Sequence, residues 1–203
     1  MAAELPGPLR EYWYDLNIEL IAGQRADLTG AAEGRRDLGQ AERVAQLKSG
    51  SYSVERPLQL GALAAGASAR LREALAVYGR HVGRAFALRD DELGIWGDPV
   101  VTGKPAGDDL RSGKATVILA LAQATLRGAP AAALTRIGTP ATTEEDVALL
   151  QEALITSGVK GRVEAMIAEE VDLARAALRR SPFTPAGVAG LREMADRIAW
   201  RNA

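Results

Sequence analysis

The 203-residue sequence contains no cysteine, and its aromatic content is only 4%. Without cysteine there is no disulfide frame, no thiolate nucleophile and no zinc–cysteine site. The single histidine, His81, leaves no pair of imidazoles for a metal or a relay, and it reads as a helix-face residue. No long hydrophobic run is present; the stretch Val117 to Ala122 is far too short to span a bilayer. No charged-then-apolar leader is evident, so a soluble, cytoplasmic setting is expected, without stable membrane insertion. Nor does either sign of charge prevail. The formal net charge is -1 and the pI about 6.0, so no basic field invites nucleic acid. What is abundant is Ala, Leu, Arg and Glu, with β-branched residues sparse, a balance that favours helix over strand. Hydrophobic residues at 47% and charged residues at 25% describe a globular chain with a core, one domain over residues 1–203.

Helical periodicity runs through the chain, and no window alternates at period two. Pro6 and Pro8 mark a first helix carrying Trp13, Leu16, Leu20 and Gly23 to about Leu28, and Thr29 to Arg36 reads as a loop. Asp37 caps a helix to about Leu47, interrupted by Lys48-Ser49-Gly50-Ser51. A small-residue helix from Val54 to Ala65 ends near Gly66. Ser68 is a good N-cap for the longest helix, whose stripe Leu71, Leu75, Tyr78, Val82 and Phe86 leads to a stop at Gly97. Pro99 to Gly107 reads as loop, and Asp108 or Asp109 as the cap of a helix running to about Leu126. Thr143 with Asp146 has the form of a capping box. Gly158 stops that helix, Val163 to Leu178 forms another, and Thr184-Pro185 opens a last one to about Trp200.

The stretch FALRDDELGIWGDPVVTGKPAGDDLRSGKAT, from Phe86, concentrates the chemistry. Asp90 and Asp91 share a helix face with Ala87 and Gly94 at i, i+3, i+4 and i+7 spacing. Magnesium prefers oxygen ligands and is commonly held by one or two carboxylates together with water and substrate phosphates. Lys104 follows a Gly turn, where its ammonium can meet a phosphate bridging such a cation. Arg111 and Lys114 read as a solvated helix start, with help in binding phosphate as the alternative.

These motifs resemble the second aspartate-rich region of the trans-polyprenyl diphosphate synthase family, the geranylgeranyl and farnesyl diphosphate synthases. Gly23-Gln24-Arg25-Ala26-Asp27-Leu28 is similar to that family's GQxxDL helix. Lys48-Ser49-Gly50 is similar to its Lys-Thr-Gly element, and Tyr78-Gly79-Arg80 with Gly83 and Phe86 to the run into the acidic motif. The resemblance implies an all-α isoprenoid-synthase-type bundle lacking its N-terminal helices. It implies condensation of isopentenyl diphosphate with an allylic diphosphate, with Mg2+ as cofactor. Asp90 and Asp91 would carry the metal, and Lys48 and Lys104 would contact the allylic diphosphate from two sides. Ser49, in the family's threonine slot, would donate a hydroxyl to the same phosphate or assist deprotonation. Gln24 and Asp27 would face the cavity and orient Lys48 or metal-bound water.

Three departures qualify the resemblance. The third acidic position of DDxxD is Gly94, the glutamine preceding the pair is Ala87, and a first aspartate-rich motif with its arginines is not found. The resemblance therefore implies half of an active site, acting as a homodimer or with a chain that supplies the N-terminal half. The alternative is a catalytically inactive partner or regulatory chain associating with a full-length synthase. Either way, the faces of Leu71, Leu75, Tyr78 and Val82 are expected to lie open, and the isolated chain to be marginal, self-associating or partner-dependent.

Overall fold

The computed structural model describes residues 4–34, 36–179 and 182–201. Among these every regular element is helical. Helix α1 (Gly7–Ala32) begins behind Pro6 and buries Leu16, Gly23, Asp27 and Gly30 along one face. It continues through Thr29, where a loop was expected, because Gly30 faces the bundle and the chain turns only at Glu33 and Gly34. Arg35, in that expected loop, lies outside the described residues. Asp37 accepts from Gln40 N at 2.8 Å and opens α2 (Leu38–Val44).

The expected interruption at Lys48 is instead an eleven-residue π segment, Ala45–Glu55, that runs without a break into α3 (Arg56–Ala64). Close packing accounts for the small residues here. A Cβ on Gly23 would lie 2.8 Å from Lys48 N, and one on Gly83 2.6 Å from the Gly50 carbonyl oxygen. The π segment is thus clamped between α1 and the central helix, backbone against backbone on both sides.

That central helix, α4 (Ala69–Trp96), starts as expected, with Ser68 Oγ accepting from Leu71 N at 3.3 Å, and stops at Gly97. Asp98 caps a short α5 (Pro99–Thr102) within the expected loop. The expected helix from Asp108 to Leu126 is broken into α6 (Asp108–Arg111) and α7 (Val117–Thr125), with Gly113 at φ 63° and a new cap at Thr116 between them. Neither Asp108 nor Asp109 caps α6; its N-cap is Gly107, which makes no side-chain cap. Helix α8 (Gly128–Arg136), unmarked in the sequence pattern, precedes α9 (Glu144–Thr156) with its capping box of Thr143 and Asp146. Helices α10 (Val159–Leu178) and α11 (Pro185–Ala199) complete the bundle.

The main core gathers Leu88, Ile95, Leu110, Ile118, Leu121, Leu150, Leu154, Val163 and Ile167, all buried. A second cluster, Val54, Tyr78, Val82, Ala174, Leu178 and Ala195, joins the π segment to α4, α10 and α11. The Tyr78 hydroxyl donates to Leu191 O at 2.6 Å. This overturns the expectation that the faces of Leu71, Leu75, Tyr78 and Val82 lie open: the C-terminal helices and the π segment cover Tyr78 and Val82, both 0% exposed, Leu75 is buried and Leu71 half-buried. The open apolar face is on α1 instead, where Tyr14, Ile18, Ile21 and Leu28 are 51–67% exposed. No helix among the described residues is long and apolar enough to cross a membrane.

Candidate active site

The C-terminal end of α4 and the loop after it carry most of the site. Asp98 Oδ1 accepts from Val100 N at 2.9 Å and fixes the turn into α5. Gly103 (φ 70°) and Gly107 (φ 79°) then bend the chain back along α4; both adopt the left-handed region that glycine tolerates without strain. The hairpin-like return creates a cleft of ≈ 180 Å³ lined by Asp90, Gly94, Thr102, Lys104, Asp109, Lys114 and Arg201, among others. Lys104 is exposed on its rim.

Behind this cleft lies a pocket of only ≈ 20 Å³, lined by Asp27, Lys48, Ser49, Ala87, Asp91, Lys114 and Thr116, room for about one water. Asp27 meets Lys48 here, Oδ2 to Nζ at 2.5 Å. Of the α1 pair, therefore, only Asp27 faces inward. Gln24 is exposed, because it sits roughly a quarter turn off the buried face of a 3.6-residue helix. Ser49 lines the pocket, while its neighbour Ser51 donates to Glu19 Oε2 at 3.1 Å.

Asp90 and Asp91 separate. Asp90 opens into the cleft and pairs with Arg201 Nη2 at 3.1 Å; its side chain is 49% exposed. Asp91 is turned into the small pocket, where its Oδ1 accepts from Lys114 Nζ at 2.9 Å. Lys114 also binds Asp109 Oδ2 at 3.0 Å and so joins the two cavities. Burial pushes the Asp91 carboxyl up to about 6, against the pull of Lys114 and with Asp109 and Asp90 adding like charge. Burial works against the Lys114 charge, but Asp91 and Asp109 outweigh it and raise Lys114 above the ordinary lysine range.

Three residues at these cavities stand outside the sequence expectations. Lys114 reads there as a solvated helix start and Asp109 as a cap, and the basic-after-acidic spacing is the available signal for their pairing. Arg201, more than a hundred residues away from Asp90, left none. Arg111 does stay at the periphery, in a two-point pair with Glu144 (2.7 and 2.6 Å), and His81 binds Glu170 Oε2 at 2.7 Å, away from both cavities.

The sequence pattern of polyprenyl synthetases matches residues 9–154. The chain belongs to the polyprenyl synthetase family. A farnesyl diphosphate synthase of Mycobacterium tuberculosis is 50% identical over 101 residues, covering 49% of this chain and 27% of that protein. A geranylfarnesyl diphosphate synthase of Aeropyrum pernix is 31% identical over 169 residues, covering 83% of this chain and 52% of the relative. Among solved polyprenyl synthetase structures, a geranylgeranyl pyrophosphate synthase from Corynebacterium glutamicum, complexed with isoprenyl diphosphate and magnesium, superposes with a TM-score of 0.89 at 38% identity. That match covers 95% of this chain and 55% of the other. The chain thus spans about half the length, or less, of these relatives, and the fold is the isoprenoid-synthase bundle over that portion.

No group of three or more His, Cys, Asp or Glu side chains among the described residues is disposed to hold a metal ion. The donor types still suit a hard divalent cation, such as the magnesium complexed with the Corynebacterium glutamicum relative. Asp90 and Asp109 line the same cleft, and a pair of carboxylates completed by water and phosphate oxygens is the usual magnesium arrangement.

Proposed function

We propose that this chain carries the second aspartate-rich, diphosphate-binding half of a polyprenyl diphosphate synthase that condenses isopentenyl diphosphate with an allylic diphosphate. The observation that carries this reading is the cleft in which Lys104, Lys114 and Arg201 surround Asp90 and Asp109. Three cations around two carboxylates suit a polyanion that arrives with its own counter-ions. Asp90 and Asp109 would hold Mg2+, which when bound neutralises charge developing on the departing diphosphate. Lys104, exposed and at the rim, would meet the diphosphate first. Lys48, steered by Asp27, and Ser49 would approach from the inner pocket once it widens around the ligand. Asp91 would act one step back, fixing Lys114 in place.

The test is thermal melting of the purified chain with Mg2+ plus inorganic pyrophosphate. A ligand at 100 times its dissociation constant stabilises by about 2.7 kcal/mol. We expect a metal-dependent rise for the wild type that is lost in Asp90→Ala and in Asp90→Ala/Asp91→Ala. No difference between these proteins would sink the reading.

A second reading, a catalytically inactive partner of a full-length synthase, is favoured by one feature. Ala87, 2% exposed, lines the inner pocket where the family has a glutamine and brings no polar group. Co-purification with a full-length synthase, without prenyl transfer by this chain, supports it; failure to associate ends it.

A further inference from the structure

Arg201 is placed with unusual care for a residue so near the C-terminus. Arg89 Nε donates to Ala199 O at 2.6 Å, and the Arg89 guanidinium lies 5.2 Å from the Trp200 ring centroid. Helix α4 therefore grips the two preceding residues through Arg89, the residue next to Asp90. Arg201 then lays its guanidinium 4.3 Å from the Phe86 ring centroid and reaches Asp90 Oδ1 at 3.1 Å. Yet among the described residues none accepts a hydrogen bond from its buried Nε. A buried donor without an acceptor is penalised, so this seat holds the guanidinium without satisfying it. Asp90 in turn spends one oxygen on an organic cation at the very cleft where a divalent ion would bind.

We propose that Arg201 is an exchangeable counter-ion of Asp90: it occupies the carboxylate while the cleft lacks a divalent cation, and turns to phosphate oxygens when metal and diphosphate enter. Guanidinium binds phosphate through two parallel donors, and the orphaned Nε supplies the second. Because residues 199 and 200 are anchored on α4, the exchange needs only side-chain rotation within the cleft. Arg201 then competes with bare metal and cooperates with metal-diphosphate. This inference rests on the reading of the cleft as a divalent-cation and diphosphate site.

The experiment uses the full chain and two probes, Mn2+ alone and Mg2+ with inorganic pyrophosphate, on wild type, Arg201→Gln, Arg201→Lys and Asp90→Asn. Glutamine keeps a planar group over Phe86 and removes the charge. Releasing a partly exposed ion pair corresponds to roughly a 2–5-fold change in affinity. Arg201→Gln should therefore bind Mn2+ about 2–5-fold more tightly, yet bind pyrophosphate with Mg2+ more weakly, with Arg201→Lys closer to wild type on both. A merely structural role would shift both affinities in the same direction or neither, and either result overturns the exchange. If wild type binds Mn2+ no better than Asp90→Asn, the cleft itself is not the metal site and the underlying reading falls as well. If binding depends on Asp90 but Arg201→Gln leaves both affinities unchanged, only the exchange falls.

Discussion

The Asp109 carboxylate fills the space that a side chain at Gly94 would need: a Cβ built there would lie 2.3 Å from Asp109 Oδ2. The missing third acid of the DDxxD pattern and the acid on α6 are thus alternatives for one volume. A methyl at position 94 must push away a carboxylate that is also bound to Lys114. Gly94→Ala should cost about 1–3 kcal/mol through overpacking. In an Asp109→Ala background the same change should stabilise by up to about 1 kcal/mol through helix propensity. Denaturant unfolding of the four proteins checks this reversal of sign; additive effects would refute the shared volume.

Asp27 is 9% exposed and holds the Lys48 ammonium. Asp27→Ala leaves that ammonium without its anion in a pocket too small to hydrate it well. We expect a loss of about 1–3 kcal/mol and a smaller melting shift with Mg2+ and pyrophosphate. Gln24→Ala, on the exposed side of α1, should change neither.

Asp91 sets a pH dependence of definite sign. Its folded pKa, about 6, lies above the ordinary 3.8, so the folded state holds the proton more tightly than the unfolded chain. The resulting stability is complete below the ordinary value and is lost as pH rises through about 6. Burial also raises Glu55 and Glu92, against their arginine and lysine neighbours, in the same direction. The melting temperature should therefore climb as pH falls from 7.5 to 5.5. Asp91→Asn should flatten part of that climb; an unaltered slope would remove Asp91 from the account.

The α1 face bearing Tyr14, Ile18, Ile21 and Leu28 follows i, i+4, i+7 and i+14 spacing, an apolar seam on one side of the helix interrupted only at i+11 by Arg25. Exposed seams of this kind associate. Sedimentation of the wild type should depend on concentration, and an Ile18→Ser/Ile21→Ser variant should run as a monomer with its cooperative melting retained.

Helix type was legible nearly throughout, because caps such as Ser68, Thr143 and Thr184 and stops such as Gly97 and Gly158 act locally. What escaped notice depends on contacts between elements. The π segment is packed where Gly23, Gly50 and Gly83 let three backbones meet, and Gly23 and Gly83 lie far outside any window around Lys48. The open face was assigned to α4 rather than α1, since its amphipathic stripe does not say that α10 and α11 return to cover it. In the site, the family resemblance points to Asp90, Lys104, Lys48 and Asp27, and each lines one of the two cavities. The division of Asp90 from Asp91 between two cavities needed the position of Lys114, and Arg201 needed the whole bundle to bring it home.

The π segment acts as a phase shifter within a single rod. Residues 45–55 close i to i+5 bonds, so α3 follows α2 without a break but out of the angular register an uninterrupted α-helix would give. Deleting one residue there would let the rod tighten toward ordinary α geometry and rotate everything beyond it by about 100°. Arg56 would then swing away from Glu19 and Tyr12, which it now joins, while Asp37 would still cap an undisturbed α2. Chain length between 45 and 55 is thus a constraint separate from residue identity: insertions and deletions should be far less tolerated here than substitutions at the exposed Tyr52 or Ser53.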